Sequence, residues 1–411
     1  MTSRRTPPHF ITLVILTGFS PMSLNMFVPA LTEIANDLST SYSTASLAIS
    51  GYLAVTAFLQ LVVGPVSDRF GRRPVIICAL FVFVFASAGC ALAENIETFL
   101  FFRVLQSGVV AGYTLSLAIV RDTRPEREAV SLIGYIGMTM AIAPMLGPMF
   151  GGIVASQFGW RAIFLVYATI SFGLLIACYF DLGETRLQSG QPTHSVFSGT
   201  FALLREPLFH SYALCGTFSV GTFYVFLTGA PLVAKATFEM TTTEVGVSIG
   251  SITIGSITVG YMTGGLIAGR FGKNSDPYVL MIAGRVVACT GIASGLVVFG
   301  SGLSCPLVLL GAAILSGVGN GMALPGSNAG AMSVRPDLAG SAAGLTGALI
   351  VAVGAILTAL TGSIIALKPT PVGLLSMMLF TAVLSLLSAV WARKLKRTVS
   401  VSQHESDHTL S

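Results

Sequence analysis

The sequence predicts an all-α membrane protein of twelve transmembrane helices, arranged as two pseudo-symmetric six-helix halves. Hydrophobic residues make up 53% of the 411 residues and charged residues only 9%, whereas a soluble protein carries about 25% charged residues. Twelve apolar segments reach or approach the length of about 20 residues that a helix needs to cross the hydrocarbon layer. A short pattern rich in glycine and arginine also recurs after the second and eighth segments, which indicates an internal repeat.

Charges, prolines or asparagines separate the predicted spans. The spans lie at residues 10–30, 44–66, 74–92, 98–120, 129–154, 161–180, 208–233, 244–268, 278–300, 304–325, 339–366 and 371–392. The longest polar stretch, 181–207, falls between the sixth and seventh spans and is predicted to be a cytoplasmic linker. We therefore expect an N-terminal half at 1–180, a C-terminal half at 208–395 and a cytoplasmic tail at 396–411.

Lys and Arg predict the side of the membrane on which each loop lies. If the N-terminus is cytoplasmic, seventeen of the 22 basic residues lie inside, and Arg161, Lys235 and Lys368 lie outside. Cytoplasmic loops are enriched in Lys and Arg, so both termini are predicted to be cytoplasmic. Arg103 and Arg285 remain within spans. This distribution over short loops explains the net charge of +5. The positive charge therefore does not indicate that nucleic acid is a partner.

Several other kinds of chemistry find little support in the sequence. The six cysteines form no CxxC pair and mostly lie in or at the ends of apolar segments, which favours packing over metal or redox roles. No P-loop pattern is present, so ATP is not the predicted energy source. The first apolar run, residues 10–30, is too long for the core of a cleavable signal peptide. We expect no cofactor and no metal.

The strongest motif follows the second span and reads Gly64-Pro-Val-Ser-Asp68-Arg69-Phe-Gly71-Arg72-Arg73. Together with the twelve spans it resembles motif A of the major facilitator superfamily. Gly64 would permit close helix approach, and Asp68 would accept hydrogen bonds from Arg or from a helix N-terminus. We expect this contact to hold the halves closed on the cytoplasmic side, whereas a plain basic loop would explain the arginines alone. In the second copy Gly269 replaces the aspartate, so that copy lacks the charge.

A polar face is predicted on the fourth span. Arg103, Gln106 and Tyr113 fall at i, i+3 and i+10, which places them on one side of a helix. The run from Arg103 to Gly108 resembles motif B of the same superfamily, with Ser107 where a glycine is usual. An arginine within a span is costly unless it faces partners or water, which favours a functional role. The alternative is that Arg103 extends its charge to the nearby outer surface.

Small residues and prolines crowd the fifth span. Pro144, Gly147, Pro148, Gly151 and Gly152 resemble motif C, which in this superfamily is associated with exporters that run as antiporters. Glycine permits tight helix contact, and proline removes a backbone donor. Ordinary close packing against the glycine-rich eighth span is the alternative, and it is compatible with that role.

The first span extends the resemblance. Its residues 23–31 resemble the bicyclomycin/chloramphenicol-resistance branch of drug–proton antiporters, as do Arg121-Asp122, Gly159-Trp160-Arg161 and the stretch 325–344. Where that branch has an aspartate, this chain has Asn25. Asn cannot titrate, so proton coupling would need another group.

The candidates for that group are acids at span ends, because no acid lies at mid-span. Glu33 and Asp37 lie near the outer end of the first span, and Asp122 lies near the inner end of the fourth. The resemblance implies a proton gradient as the energy source. The alternatives are that Glu33 and Asp37 are solvated helix ends, and that coupling is altered or absent.

In the superfamily fold the first, fourth, seventh and tenth spans line the cavity. Here these spans offer Asn25, Arg103, Gln106, Tyr113, Phe223, Phe226 and Asn320. A mostly apolar pocket with a few polar groups suits amphipathic organic molecules. One cation without a buried acid favours neutral, zwitterionic or anionic substrates over cationic ones. For each phenylalanine the alternative is lipid-facing or core packing.

We therefore predict a monomeric secondary transporter of the bacterial inner membrane, which exports small amphipathic organic compounds by alternating access and is not an enzyme. Its expected partners are a small-molecule substrate and the lipid bilayer. An uptake carrier of the same fold for a small metabolite is the first alternative, and motif C argues against it. A membrane-embedded sensor or enzyme is the alternative from another class, and no paired intramembrane acids or appended soluble domain favour it.

Overall fold

The structure is a computed structural model, and its secondary structure is described for residues 8–124, 132, 136, 143, 146–185, 202–247, 259–260, 262–263, 277–303, 305–335 and 338–409. Throughout these ranges the regular structure is helical, with no β-strand. The helices are α1 (Phe10–Asn25), α2 (Leu31–Asp37), α3 (Tyr42–Phe70), α4 (Arg72–Ala91), α5 (Ile96–Leu105), α6 (Val110–Thr123), α7 (Trp160–Asp181), α8 (Pro207–Phe238), α9 (Thr242–Val247), α10 (Pro277–Gly300), α11 (Pro306–Ser333), α12 (Ala339–Leu367) and α13 (Pro371–Thr409). Residues 146–158 are also helical.

The predicted all-α membrane fold is confirmed. Within the described residues, 10 helices are long and apolar enough to cross a membrane, and they coincide with the predicted spans one to four, six, seven and nine to twelve. Most of the predicted fifth and eighth spans, at 129–154 and 244–268, lies outside the described residues. The last helix, α13, continues beyond the predicted end of its span at residue 392 as far as Thr409.

The first span is interrupted in its outer half. Between α1 and α2 the chain forms a short 3-10 turn at Val28–Ala30. Pro29 lies at the start of that turn, where its missing N–H removes no helical hydrogen bond. One turn earlier, Asn25 Nδ2 donates to the carbonyl of Pro21 at 2.6 Å, which gives that backbone oxygen a side-chain donor. The break therefore exposes irregular backbone inside the protein, where such backbone is tolerated in membranes.

The fourth span is interrupted in a similar way. A 3-10 turn at Gln106–Val109 separates α5 from α6. Ser107 Oγ donates to the carbonyl of Val104 at 2.6 Å, a local bond of the kind that competes with regular helical bonding. Both interruptions thus fall beside residues that the sequence analysis assigned to the cavity.

The chain divides into two compact units. The first unit comprises 1–191, 227–255 and 355–370, and the second comprises 192–226, 256–354 and 371–411. Their boundary near residue 191 lies within the predicted linker. The units differ from the predicted halves because 227–255 and 355–370 belong to the first unit.

Aromatic rings dominate the core of the first unit. The ring of Tyr167 lies edge-to-face against Phe19, Phe83 and Phe164, with centroid distances of 6.4, 6.1 and 5.6 Å. Trp160 packs in the same way on Phe99 at 5.6 Å. Such pairs add about 0.5–1.5 kcal/mol each beyond their buried area. They fix α7 against α1, α4 and α5, and so position the polar groups described below.

The core of the second unit brings α8, α10, α11 and α13 together. Its buried cluster includes Phe209, Tyr212, Met281 and Ala389. Polar contacts cross this core as well: Ser219 Oγ donates to Asn320 Oδ1 at 2.8 Å. Interhelical hydrogen bonds of this kind hold membrane helices together where the hydrophobic effect gives no preference between lipid and protein.

Candidate functional site

Arg103 is the centre of a buried polar network in the first unit. The residue is 0% exposed. Its Nη1 donates to Gln106 Oε1 at 2.6 Å, and its Nη2 donates to the carbonyl of Ser23 at 2.9 Å. Of its three nitrogens, only Nε is without a hydrogen-bond acceptor among the described residues. The predicted pairing of Arg103 with Gln106 on one helical face is therefore present in the structure.

Two aromatic rings enclose the same guanidinium. Its central carbon lies 4.3 Å from the ring centroid of Phe27 and 4.5 Å from that of Tyr52. A cation over an aromatic face gains about 2 kcal/mol or more when it is desolvated. The charge of Arg103 is thus held inside the protein by rings, and it does not extend to the outer surface.

A second set of hydrogen bonds holds the partners of Arg103 in place. Gln106 Nε2 donates to Ser87 Oγ at 2.7 Å. Tyr167 donates to the carbonyl of Ser23 at 3.0 Å, which therefore accepts from both Tyr167 and Arg103. The hydroxyl groups of Ser23 and Tyr52 lie 3.1 Å apart. The sequence analysis missed Tyr52, Ser87 and Tyr167, because their only signal is a polar group within an apolar span.

Asn25 lies close to this network but has no hydrogen bond to it. The residue is 2% exposed, and its Oδ1 is buried without a partner among the described residues. Arg103 instead contacts Ser23 and Phe27, which lie two residues before and two residues after Asn25. The first-span position that carries an acid in the related branch is therefore occupied by a neutral amide whose acceptor atom is unused.

Two of the motif C glycines pack directly on the interruption of the first span. A Cβ atom added to Gly147 would lie 3.3 Å from the backbone nitrogen of Met26, and one added to Gly151 would collide with the carbonyl of Met26. Glycine alone allows the backbone approach at Gly151, whereas a Cβ at Gly147 would require a small shift of its neighbour. Pro148 is buried beside them, and Pro144 lies outside the described residues.

The third glycine of motif C contacts the start of the predicted eighth span. A Cβ on Gly152 would lie 2.9 Å from the Cα of Gly246 and 2.9 Å from the carbonyl of Thr242. The close packing that the sequence analysis weighed as an alternative is therefore observed at this position. It occurs together with packing of the same segment on the first span.

At motif A the structure shows an acid that the sequence analysis did not consider. The backbone N–H of Arg72, at the start of α4, donates to Glu184 Oε1 at 3.0 Å. A carboxylate at a helix N-terminus is favoured by the helix dipole. Gly71 has φ of 94°, and a Cβ there would lie 2.9 Å from the carboxyl carbon of Glu184. Its conformation therefore favours glycine, and a larger residue would also displace the Glu184 carboxylate from the start of α4.

The other motif A residues give a mixed result. Arg73 Nη2 donates to the carbonyl of Tyr179 at 2.7 Å, and Arg69 is exposed at the end of α3. The side chain of Asp68 lies outside the described residues, so its predicted contact stays a prediction. In the described part of the chain, a Cβ at Gly64 would meet nothing within 4 Å, so the expected close helix approach is not seen among these residues.

Two predicted coupling acids are paired in the structure. Lys235 Nζ donates to Glu33 Oε1 at 3.3 Å and to Thr242 Oγ1 at 2.7 Å, and Thr242 Oγ1 also contacts that carboxylate. Asp37 accepts from Arg161, and from Trp160 Nε1 at 3.1 Å. Glu33 is half-buried in its contact, whereas Asp37 is exposed at the end of α2 and its pairing with Arg161 lies at the surface. The side chain of the third candidate, Asp122, lies outside the described residues.

The Glu33 contact belongs to a set that ties span ends together inside the first unit. Tyr42, at the start of α3, donates to the carbonyl of Thr228 in α8 at 2.6 Å. The hydroxyls of Ser43 and Ser363 lie 3.1 Å apart. These contacts lie at the end of the helices that the positive-inside pattern predicts to be outside.

The remaining predicted cavity residues divide between the units. Tyr113 is half-buried on α6 in the first unit. In the second unit Phe223 is half-buried, Phe226 is 1% exposed and Asn320 is 6% exposed. Asn320 accepts from Ser219, which fixes its amide. In the described part of the chain no group of His, Cys, Asp or Glu could hold a metal ion.

A large groove on the first unit is not a candidate substrate site. It encloses about 650 Å³ between α4 and α7 and includes Phe81, Tyr179 and Phe180. These rings are 64%, 57% and 82% exposed. An apolar groove with exposed aromatic rings is what the lipid-facing side of two membrane helices presents.

Comparison with curated proteins finds relatives along most of the chain. The sequence is 33% identical over 360 residues to the uncharacterized MFS-type transporter YdgK of Bacillus subtilis, covering 85% of this chain and 87% of that protein. It is 34% identical over 229 residues to a chloramphenicol resistance protein of Pseudomonas aeruginosa and 34% identical over 215 residues to the multidrug resistance protein MdtL of Escherichia coli. Those two matches cover 54% and 52% of this chain, and 53% and 54% of the resistance proteins, so the chain spans about half of their length.

Solved structures share the fold at low sequence identity. A crystal structure of a bacterial homologue of the human lysosomal transporter Spinster superposes with a TM-score of 0.77 at 15% identity, covering 95% of this chain and 96% of the other. A mutant of the nucleoside transporter NupG gives 0.68, also at 15% identity, with coverage of 94% and 99%. The family model of the Major Facilitator Superfamily matches residues 13–359. The chain therefore belongs to the Major Facilitator Superfamily.

Proposed function

We propose that this chain exports small amphipathic organic compounds, neutral or anionic, out of a bacterial cell by alternating access. Its membership of the superfamily makes it a membrane transporter that moves a small molecule, rather than an enzyme. The single observation that carries the substrate preference is the Arg103 network, in which a buried cation is satisfied by neutral groups and aromatic rings. The resistance functions named for two relatives support drugs as the class of compound.

Export is favoured over uptake by the packing of motif C. Gly147 and Gly151 lie against the interruption of the first span, and Gly152 lies against Gly246. A tight joint at this place limits leakage while the transporter changes conformation, which an exporter that works against a gradient requires. The resemblance of this segment to the antiporter motif points the same way.

We assign Arg103 the role of organising the substrate-facing break of the first span. Its bond to the carbonyl of Ser23 and its contact with Phe27 hold that break in one geometry. Two of the five N–H groups of its guanidinium are engaged by Gln106 and Ser23, so the second N–H of each Nη and the N–H of Nε remain for a substrate acceptor. Because Arg103 is 0% exposed, its contact with substrate requires a rearrangement of the residues that enclose it.

Proton coupling belongs first to Glu33, because its carboxylate contacts Lys235 and the hydroxyl of Thr242. Loss of this contact would loosen the outer span ends that it joins. Asp37 and Asp122 are the next candidates, and Asn25 has no proton to exchange.

The direct test of export uses membrane vesicles of both orientations from a host without its own drug pumps. Energised inverted vesicles should accumulate chloramphenicol, a neutral compound, more strongly than the lipophilic cation ethidium. Right-side-out vesicles should accumulate neither. Accumulation of a substrate only in right-side-out vesicles would establish the uptake carrier instead.

The test of coupling measures substrate-induced proton movement in proteoliposomes. Glu33→Gln should reduce proton movement and leave substrate binding in place. Glu94→Gln is the matched control, because it removes an exposed acid that is not a coupling candidate. Undiminished proton exchange by Glu33→Gln, Asp37→Asn and Asp122→Asn in turn would remove all three acids from the proposal.

We further propose that the protein lies in the inner membrane of a bacterium with both termini in the cytoplasm. It acts there as a monomer. The excess of Lys and Arg on one side supports this orientation. An impermeant thiol reagent applied to intact cells should label a cysteine introduced at Lys368 and not one introduced at Arg69. The reverse pattern would invert the topology.

Two short matches to enzyme motifs do not change the assignment. Residues 246–250 read Gly-Val-Ser-Ile-Gly, but Gly246 lies in α9 and not after a strand, which the hydrolase elbow requires. Residues 404–408 read His-Glu-Ser-Asp-His, in the polar tail after the last span. A metalloprotease would also need a third ligand and an enclosed site, and the chain belongs to a transporter family.

A further inference from the structure

Arg285 is a buried cation that the proposed transport function has not used. It lies on α10 in the second unit and is 0% exposed. Its Nε, Nη1 and Nη2 atoms all lack a hydrogen-bond partner among the described residues. It stands eight residues after Pro277, or about 12 Å along the helix at about 1.5 Å per residue. The guanidinium is therefore deep in the span and reaches no surface.

The sequence provides no acid that could neutralise it from within a span. The acids of the second unit are Glu206, Asp276, Asp337, Glu405 and Asp407. All five lie outside the apolar spans at 207–226, 278–300, 306–333, 341–354 and 371–396. The missing negative charge therefore does not come from within a membrane-spanning segment of this unit.

Two neutral thiols on the described helices lie near Arg285. Cys215 on α8 and Cys289 on α10 lie within electrostatic range of the guanidinium. Ser385 Oγ donates to the carbonyl of Cys215 at 2.7 Å, and Ser327 Oγ donates to the carbonyl of Tyr212 at 2.7 Å. The oxygens of these hydroxyls could still accept hydrogen bonds, but no nitrogen of Arg285 has a hydrogen bond to an acceptor among the described residues.

The burial pattern of α10 shows that Arg285 faces protein rather than lipid. Met281, Ala288 and Ile292 lie on the same face and are each 0% exposed. An uncompensated charge at such a depth costs several kcal/mol, and arginines within spans commonly mark the path of a substrate or ion. A buried polar group without a partner also requires an explanation, and an unseen ion or ligand is one of the few available.

We propose that Arg285 is the cationic centre of an anion-binding site inside the second unit. The site takes a carboxylate of a transported compound or a small inorganic anion such as chloride, since both supply the missing negative charge. The planar fork of arginine binds a carboxylate through two parallel hydrogen bonds. Only the assignment of the carboxylate to a transported compound rests on the proposed transport function. Anion binding itself can be measured without transport.

The test is the thermal unfolding of the purified full chain in detergent, in sodium HEPES at constant ionic strength. Sodium benzoate is the carboxylate probe, its amide benzamide is the neutral match, and sodium chloride is the inorganic probe. A binding anion should raise the unfolding midpoint of the wild type by a few degrees, following mass action. Benzamide should cause no shift.

Three variants test whether Arg285 is the residue that binds the anion. Arg285→Met should abolish the shift, Arg285→Lys should reduce it, and Lys368→Met, which removes an exposed charge, should retain it. In HEPES alone, Arg285→Met should unfold at or above the wild-type midpoint, because it removes an uncompensated charge. A purely structural arginine would instead lower that midpoint.

Each outcome supports or overturns the site. A shift with benzoate alone identifies a carboxylate ligand, a shift with chloride alone identifies an inorganic anion, and a shift with both identifies an unselective anion site. No shift with either anion, an equal shift in Arg285→Met, or loss of folding in Arg285→Met overturns the proposal. Failure of the vesicle experiment with a positive anion shift would reject the export function and keep the site.

Discussion

Arg103 and Arg285 are both completely buried, one in each compact unit, yet they differ in almost every other respect. Arg103 has a side-chain acceptor, a backbone acceptor and two aromatic faces. Arg285 has no hydrogen-bond acceptor among the described residues. Burial of an arginine alone therefore says little about its role. What matters is whether the protein itself compensates the charge or leaves it for a ligand.

The largest expected effect is on the stability of the fold, where Arg103→Met and Arg285→Met should differ. Arg103→Met would leave the carbonyl of Ser23 and the amide of Gln106 without their charged donor. An acceptor left unpaired in the interior costs about 1–3 kcal/mol, and the loss of the contacts with Phe27 and Tyr52 removes a cation–π attraction of about 2 kcal/mol or more. The matched Arg285→Met should cost little or should stabilise the protein. Thermal unfolding of both variants in the same sodium HEPES detergent buffer, without added benzoate or chloride, measures the difference, and equal losses would end the distinction between the two sites.

The next effect concerns the glycines that hold the first span in its interrupted form beside Arg103. Gly151→Leu should damage transport severely, because its side chain would displace the carbonyl of Met26. Overpacking of this kind costs about 1–3 kcal/mol or more. Gly173→Leu is the matched control, since a Cβ at Gly173 meets nothing within 4 Å. Transport rates per mole of membrane-inserted protein should fall only for Gly151→Leu, and normal rates in both would refute the tight joint.

The sequence predicts the spans well and the networks only in part. Hydropathy locates the helices because each span needs a long apolar run, and helical spacing places Arg103 beside Gln106. The partners Tyr52 and Tyr167 come from other spans, and one sequence carries no information on the register between helices. For the same reason Arg285 is visible as a charge within a span, but its lack of an acceptor is not. Pro29 marks a break, although the extent of the 3-10 turn depends on packing.

A smaller effect tests whether Arg103 acts through its geometry as well as its charge. Arg103→Lys keeps the cation but cannot donate to Gln106 and to the carbonyl of Ser23 in the same fork. We expect loss of about 1.5–3 kcal/mol, the value of one charge-assisted hydrogen bond, seen as a reduced transport rate with the fold retained. Circular dichroism and the unfolding midpoint serve as the control for folding. Wild-type transport by Arg103→Lys would show that charge alone is sufficient.

The smallest effect examines the neutral residue next to the Arg103 network. Asn25 Nδ2 donates to the carbonyl of Pro21 at 2.6 Å, and Asn25 Oδ1 has no partner. Asn25→Asp replaces that donor by a carboxyl group, which can preserve the bond only while it is protonated. At higher pH the ionised form would face the carbonyl oxygen without a donor, at a cost of about 1–3 kcal/mol.

The hydrogen bond to the carbonyl of Pro21 determines how the stability of Asn25→Asp changes with pH. Asn25→Asp should be close to wild type in stability at low pH and should lose stability as the pH rises, whereas the wild type has no titrating group at this position. Unfolding midpoints of both proteins between pH 5 and pH 8, relative to each other, measure the effect. A variant that gained stability with rising pH would mean that the carboxylate had found a cation. Arg103 would be the first candidate, and the contrast between a self-compensated arginine and an uncompensated one would then need revision.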